Sequence, residues 1–424
     1  MAGKKRHGVT KHPVAIIVTI SLFAIWGFAN RIHDIVAPQF NRYFALNDIQ
    51  SMLSYASFGL SYVFLAVPAA MFLRRFGYKL SLVMGLAAFS IGAFLLYPAV
   101  THHEPLYYVA AVVATGSGWA VLETSANPLI LRMGPQESAV RRLNLAQTVY
   151  PLGLIVAYWL GRHIVLPSSA ADGQFLEDVV RPYVVVGLAV MLLGFLIEYI
   201  EFPKLASERD AKGVSMRREA TELLSRVPFR FALLAMAIYM TGLVLLWSST
   251  AAYARHAVPG ISKAELIQLT LYTWVACTCG RAAGTALMYW INPNRLMAVF
   301  ALIAAASPLI ALTIHGYEGI ALLLGTTFFI GIMFPTIFGT AVNGLGGLTK
   351  TASGLMVTAA GAGMCIGMLA NKVFTVIGLV HVSLTAASLF FAGVMAFARY
   401  CERAHVDKPA NTHAEGRRQA LSPQ

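Results

Sequence analysis

The chain has 424 residues, 58% of them hydrophobic and only 12% charged, with a formal charge of +13. A soluble domain carries about 25% charged residues, so this one has half the charge needed to coat a water-facing surface, which excludes soluble enzymes and disordered scaffolds. The 32 Lys and Arg, against 19 Asp and Glu, gather in short connections rather than in a basic patch interleaved with aromatics, so they speak for membrane topology and against nucleic acid.

Lys4, Lys5, Arg6 and Lys11 precede an apolar stretch, as in a secretory signal. That stretch runs to about Phe40 without a small-residue cleavage site and is predicted to stay as the first membrane helix, near 14–40. Further apolar runs, each reaching the about 20 residues that cross the hydrocarbon as a helix, follow near 49–73, 80–100, 106–131, 143–166, 182–202, 229–256, 263–290, 295–314, 318–346, 351–375 and 378–399, twelve spans in all. The stretch 203–228 is the longest polar connection and divides them six and six. The predicted organisation is a bundle over 1–202, a linker over 203–228, a second bundle over 229–400 and a tail over 401–424.

With the N-terminus in the cytoplasm, the inward connections hold Arg74, Arg75 and Lys79, then Arg132 to Arg142, the linker, Asn292 to Arg295, and Lys350. The outward ones are neutral or acidic, as at His102, His103 and Glu104 or at Asp172, Glu177 and Asp178. This asymmetry is the positive-inside pattern, and it predicts both termini in the cytoplasm. The halves also echo each other. Leu122 to Pro128 (LETSANP), a short basic loop and a Gly-bearing helix correspond to Phe334 to Phe338 (FPTIF), a short loop and the helix with Gly361 and Gly363. Such repeats are expected of alternating-access transporters, whose substrate site lies at mid-membrane between the repeats. Cys277, Cys279, Cys365 and Cys401 suggest neither a disulfide framework nor a zinc site and are expected to be buried thiols.

A charge near the centre of a membrane helix costs roughly 2.5–3.5 kcal/mol on insertion scales, so each needs a reason. Arg31, His33, Asp34, Glu123, Arg281 and Lys372 are the candidates. Arg31 and Asp34 are three apart on one helix face, where an internal ion pair is available. Asp34 and Glu123 serve either in ion pairs with a cation that stiffen the bundle or, as the better reading, as carboxylates that load a proton on one side and release it on the other. Arg281 is expected near the cytoplasmic end of its span, snorkelling or capping a helix. Lys372 is expected in solvent at the outer end of span eleven. Trp26, Asn30, Gln147, Tyr150, Trp247 and Asn343 supply the aromatic faces and hydrogen-bonding groups that orient a polyhydroxylated ligand in an apolar pocket. No zinc-protease, nucleophile-elbow, Walker A or dinucleotide phosphate-loop motif stands in a fitting context, so neither enzyme chemistry, cofactor nor metal is expected.

Trp26 to Asp34 (WGFANRIHD) followed by Pro38, Gln39 and Phe40, the LETSANP run, Arg142 to Gln147 (RLNLAQ) and the FPTIF run resemble the fucose permease group of the major facilitator superfamily. The resemblance extends over nearly all twelve spans. It implies two six-helix bundles and a proton-coupled sugar importer, monomeric and multi-pass in a bacterial inner membrane, acting on a small-molecule substrate and protons. By the same resemblance Asp34 is similar to a proton-translocating acid and Glu123 to an acid coupling substrate to proton, while Trp26, Gln147, Trp247 and Arg281 fall at cavity-lining positions. Three departures stand out. Arg31 and His33 replace neutral residues of an Asn-rich run, Tyr150 replaces a sugar-binding amide, and Phe334 replaces a tyrosine. Arg74 also stands where the superfamily often has an acid. A planar guanidinium at Arg31 suits a carboxylate, so an anionic, hydroxyl-rich substrate (a sugar acid, a hydroxycarboxylate or a carboxylate siderophore) is the second reading. Equally, Arg31 pairs with Asp34 or Glu123 and never meets ligand.

Overall fold

The computed structural model describes residues 13–164, 179–202, 215–314 and 316–406. The outward segment with Asp172, Glu177 and Asp178, and most of the tail, lie outside the described residues. Helix α1 is Pro13–Tyr43. A continuous helical stretch, Asp48–Thr101, is broken at Gly77 (φ 82°, ψ 177°) into two spans, α2 over 48–76 and α3 over 78–101. Only glycine reaches that φ without strain, so this one residue turns one long helix into an antiparallel pair. Then come α4 (Pro105–Arg132), α5 (Ala139–Ile164), α6 (Arg181–Glu198), α7 (Met216–Ser225) and α8 (Val227–Ala257). The chain continues through α9 (Lys263–Leu287), α10 (Pro293–Ala311), α11 (Tyr317–Ile330), α12 (Met333–Val342), α13 (Thr349–Val376) and α14 (Val380–Val406). Because α11 and α12 form one interrupted span and α7 lies in the linker, the described residues form twelve spans, in two six-helix bundles. The linker thus contains a helix, started by Ser215, whose side chain accepts from the Arg218 N–H at 3.3 Å.

The bundles repeat one packing scheme. In the first, α1 packs on α5 and α3 on α6; in the second, α8 packs on α13 and α10 on α14. Across the interface α2 meets α13 and α5 meets α9, the same pair with the halves exchanged. Outward-facing Val185, Leu192, Phe195 and Leu196 on α6, and Leu302, Leu309 and Ile310 on α10, present the apolar surface that lipid requires. Cys277 and Cys401 are buried and Cys365 half-buried, but Cys279 faces outward, since in a membrane helix an apolar residue gains as much from lipid as from the core. Lys372 is exposed, as expected.

The α1–α5 contact is close because both helices carry glycine there. A Cβ on Gly153 would lie 1.9 Å from the Ala24 carbonyl oxygen, and one on Gly27 would lie 2.0 Å from that of Tyr150. Gly153→Ala is therefore expected to force the helices apart and lower stability by about 1–3 kcal/mol, the usual range for overpacking. Thermal unfolding of the purified protein in detergent measures this.

At the end where the basic loops gather, Arg142 closes the turn between α4 and α5. Its guanidinium donates to the Ile130, Leu131 and Pro135 carbonyls at 2.8, 2.6 and 3.2 Å, and to Ser138 Oγ at 3.0 Å. A cation on carbonyls at a helix C-terminus adds hydrogen bonds there and complements the helix dipole. At the same end Arg74, at the foot of α2, pairs with Glu219 of the linker helix at 2.7 Å, and Thr351 of α13 donates to the same carboxylate. The acid missing beside Arg74 is thus supplied by the linker.

Candidate functional site

The site is assembled at about the middle of the helices, where the two bundles face each other. Tyr62 of α2 donates its hydroxyl to Glu123 Oε2 at 3.2 Å. Asn127, one turn along α4 from Glu123, donates to Glu123 Oε1 and accepts at Oδ1 from Gln147 Nε2 of α5 at 2.8 Å. Arg281 of α9 then reaches across the interface. Its Nη1 donates to the Gln147 main-chain oxygen at 2.8 Å and its Nε to the Gly331 oxygen, between α11 and α12, at 2.6 Å. Glu123, Gln147 and Arg281 are only 5%, 5% and 6% exposed, so this chain of groups is sealed from water. A polar chain in such surroundings persists only when its members satisfy one another.

The neutrality of Glu123's two partners has a chemical consequence. An ionised carboxylate accepts from both donors at once, whereas a protonated one carries an O–H that needs an acceptor. On Oε2 it is met by rotation of the Tyr62 hydroxyl; on Oε1 the Asn127 amide turns over, and with it the bond from Gln147. The Oε1 side of Glu123 thus connects through Asn127 and Gln147 to α5, the helix that Arg281 holds.

The same helix carries the aromatic part of the site. Gln147 and Tyr150 lie three apart on one face of α5. Tyr150 accepts from Asn30 Nδ2 at 3.1 Å and stands edge-on to Trp26, ring centroids 5.9 Å apart. In the other half Trp247 meets Trp274 edge-on at 4.6 Å. The indole N–H groups of Trp26, Trp247 and Trp274 are buried with no hydrogen-bond partner among the described residues. Phe334, on α12 just before Pro335, stacks on Phe338 with centroids 6.2 Å apart.

Three expectations change. Arg281 does not snorkel; it is buried at the interface, with its Nε on the carbonyl of Gly331 at the end of α11, because Gly280 and Gly331 let α9 and the α11–α12 break approach closely. Asn343 lies at the end of α12, where its amide donates to the Gln136 carbonyl at 3.1 Å in the basic loop of the other half, so it belongs to a surface contact and lines no central pocket. His33 stands edge-on to Trp119 at 5.5 Å and lines a small pocket of the first bundle with Phe40, Tyr108 and Tyr183. Arg31 sits over the Tyr158 ring, 5.8 Å from its centroid, and the Tyr158 hydroxyl donates to the Ile267 carbonyl of α9 at 3.3 Å. The side chain of Asp34 lies outside the described residues, and with it the question of an Arg31–Asp34 pair. Sequence reasoning missed Tyr62 and Trp274, which no motif marks, and quoted Asn127 within LETSANP without giving it a part.

The halves touch on both sides of this centre. Tyr158 meets Ile267 on one side; on the other, Asn144 donates to Thr336 at 3.1 Å and Ser353 to the Thr124 carbonyl at 2.7 Å. These contacts join the halves around a buried polar core.

Comparison with known proteins agrees with this architecture. The family model described as Major Facilitator Superfamily matches residues 15–368. The chain is 30% identical over 418 residues to the L-fucose-proton symporter of Escherichia coli (strain K12), covering 94% of each. It is 29% identical over 362 residues to the glucose/galactose transporter of Brucella abortus biovar 1 (strain 9-941), covering 84% of this chain and 87% of that one. The crystal structure of FucP in the outward conformation superposes with a TM-score of 0.84 at 29% identity, over 92% of this chain and 99% of that one. The proton:xylose symporter XylE shares the fold at 13% identity, TM-score 0.72, over 90% and 94% of the two chains. Twelve spans in two matched bundles, a polar core between them and a family match over most of the length lead to one conclusion: the chain belongs to the Major Facilitator Superfamily and is a multi-pass transporter of the inner membrane, not an enzyme.

Proposed function

We propose that the protein imports a neutral sugar together with protons by alternating access. The observation that carries this reading is the buried chain from Tyr62 through Glu123, Asn127 and Gln147 to Arg281, which joins a carboxylate to the interface between the halves. Trp26, Asn30 and Tyr150 beside it supply an aromatic face and hydrogen bonds of the kind that orient a sugar ring. The similar proteins named for fucose, glucose and galactose support the same substrate class. Glu123, with Asp34 on α1, carries the proton. Residues 1–202 and 229–400 act as the two rocking bodies, joined by 203–228 and followed by the tail 401–424. Basic loops in the cytoplasm place both termini there, and the protein works as a monomer in the lipid bilayer.

The anionic reading depended on Arg31. Its position over Tyr158, beside the contact with Ile267, favours a part in closing the outer side instead.

Uptake into proteoliposomes tests the proposal. L-Fucose, D-galactose and D-glucose are offered under an inward proton gradient, with sodium replaced by choline in one arm and galacturonate as an anionic competitor. Accumulation of at least one neutral sugar, dependent on the proton gradient and indifferent to sodium, is expected. Accumulation of galacturonate alone, or a strict need for sodium, would overturn it.

A further inference from the structure

In an α-helix the carbonyl of residue i accepts from the N–H of residue i+4, so a proline at i+4 leaves that carbonyl without its donor. Pro128, Pro151 and Pro335 do this to Thr124, Gln147 and Gly331. All three carbonyls are answered by side chains. Ser353 Oγ donates to Thr124, and Arg281 donates to both Gln147 and Gly331. Arg281 therefore holds one proline-orphaned carbonyl from each half. The Gly331 bond stays within the second bundle, while the Gln147 bond spans the interface.

Any rocking that admits a substrate between α5 and α9 lengthens the bond between Arg281 and Gln147. Both groups then need new partners, since a bare buried carbonyl and a bare guanidinium are each costly. Building on the sugar reading, we infer that the Gln147 main-chain carbonyl and the Arg281 guanidinium form a subsite for one hydroxyl of the substrate, exposed when the halves part. A hydroxyl donates and accepts at once, so a single one bridges the pair: its O–H goes to the Gln147 oxygen and its lone pair takes Arg281 Nη1. A carboxylate accepts only, and would leave the carbonyl facing another negative oxygen. An ammonium donates only, and would leave Arg281 unmet beside a like charge. The pair selects neutral, hydroxylated ligands against both, and the selecting acceptor is a backbone atom that no sequence motif displays.

The carbonyl cannot be mutated, but its proline can. Pro151→Ala returns an N–H to position 151, fills the Gln147 carbonyl from within α5 and removes it as an acceptor for ligand. Binding of L-fucose, D-galactose and D-glucose, and of the monodeoxy analogues of whichever binds, is measured by calorimetry on the purified wild type, Pro151→Ala and Arg281→Gln, each first shown to be folded by its melting temperature. In the wild type one deoxy position is expected to weaken binding about tenfold, the loss of one hydrogen bond. Pro151→Ala is expected to weaken the parent sugar by a similar factor and to show no further loss at that position, and Arg281→Gln to lose discrimination at the same hydroxyl. If Pro151→Ala retains the wild-type deoxy profile, or the two variants single out different hydroxyls, the subsite falls while sugar transport stands. If none of the three sugars binds the wild type, the sugar reading fails and the subsite with it. Should Pro151→Ala not fold, Pro151→Ser supplies the same N–H, and an unchanged deoxy profile in Arg281→Gln overturns the inference by itself.

Discussion

Glu123→Gln is expected to abolish accumulation of substrate against its gradient while leaving substrate exchange across the membrane intact. The amide keeps the size of the carboxyl group and still accepts from Tyr62 or Asn127 through its one oxygen, but it can neither take up nor release a proton. What is lost is the titratable group at the head of the chain that runs through Asn127 and Gln147 to the helix that Arg281 grips. Uptake driven by an inward proton gradient should fall to simple equilibration, and counterflow of labelled sugar should persist. Persistence of uphill, pH-driven transport in Glu123→Gln would remove this residue from the proton path. The same pair of assays on Asp34→Asn separates the two acids, since an acid that only translocates the proton spares sugar binding, whereas one that couples the two events changes the pH dependence of binding as well.

Glu219→Ala should produce the largest loss of stability, about 3 kcal/mol, because it removes a charged partner from a largely buried arginine. Arg74 is 13% exposed and Glu219 5% in their 2.7 Å pair, and Thr351 donates to the same carboxylate. Three elements meet there: the foot of α2, the linker helix and the start of α13. The pair therefore ties the first bundle, the linker and the second bundle together at the basic end. Two readouts follow. The melting temperature in detergent should drop, with Glu219→Gln between wild type and Glu219→Ala, since it keeps the shape and one hydrogen bond but not the charge. Cysteine labelling at positions lining the basic side should rise in Glu219→Ala, as the latch no longer favours closure. A fall in melting temperature without any change in labelling would make Glu219 a stabilising residue only, with no part in gating.

What the amino-acid sequence determined by itself was the one-dimensional plan. Apolar runs of crossing length, basic knots on alternate connections and a long polar linker are properties of the chain read along its length, and they yield twelve spans in two bundles. The buried charges were legible for the same reason, since a charge in an apolar run needs no neighbour to be noticed. Which way each of those residues faces was decided only by the tertiary structure. In a soluble helix an apolar stripe reveals the inner face, but lipid is as apolar as a helix interior, so a membrane helix is hydrophobic all round and its azimuth is unmarked. The sequence of α1 therefore does not mark that Asn30 meets Tyr150 beside the interface while His33 meets Trp119 within the first bundle. It is also why Tyr62 went unseen and Asn343, whose amide meets the Gln136 carbonyl of the other half, was counted among the cavity groups. Arg281's partners are main-chain oxygens freed by prolines at 151 and 335, and those become visible as a pair only when α9 is laid between α5 and the α11–α12 break.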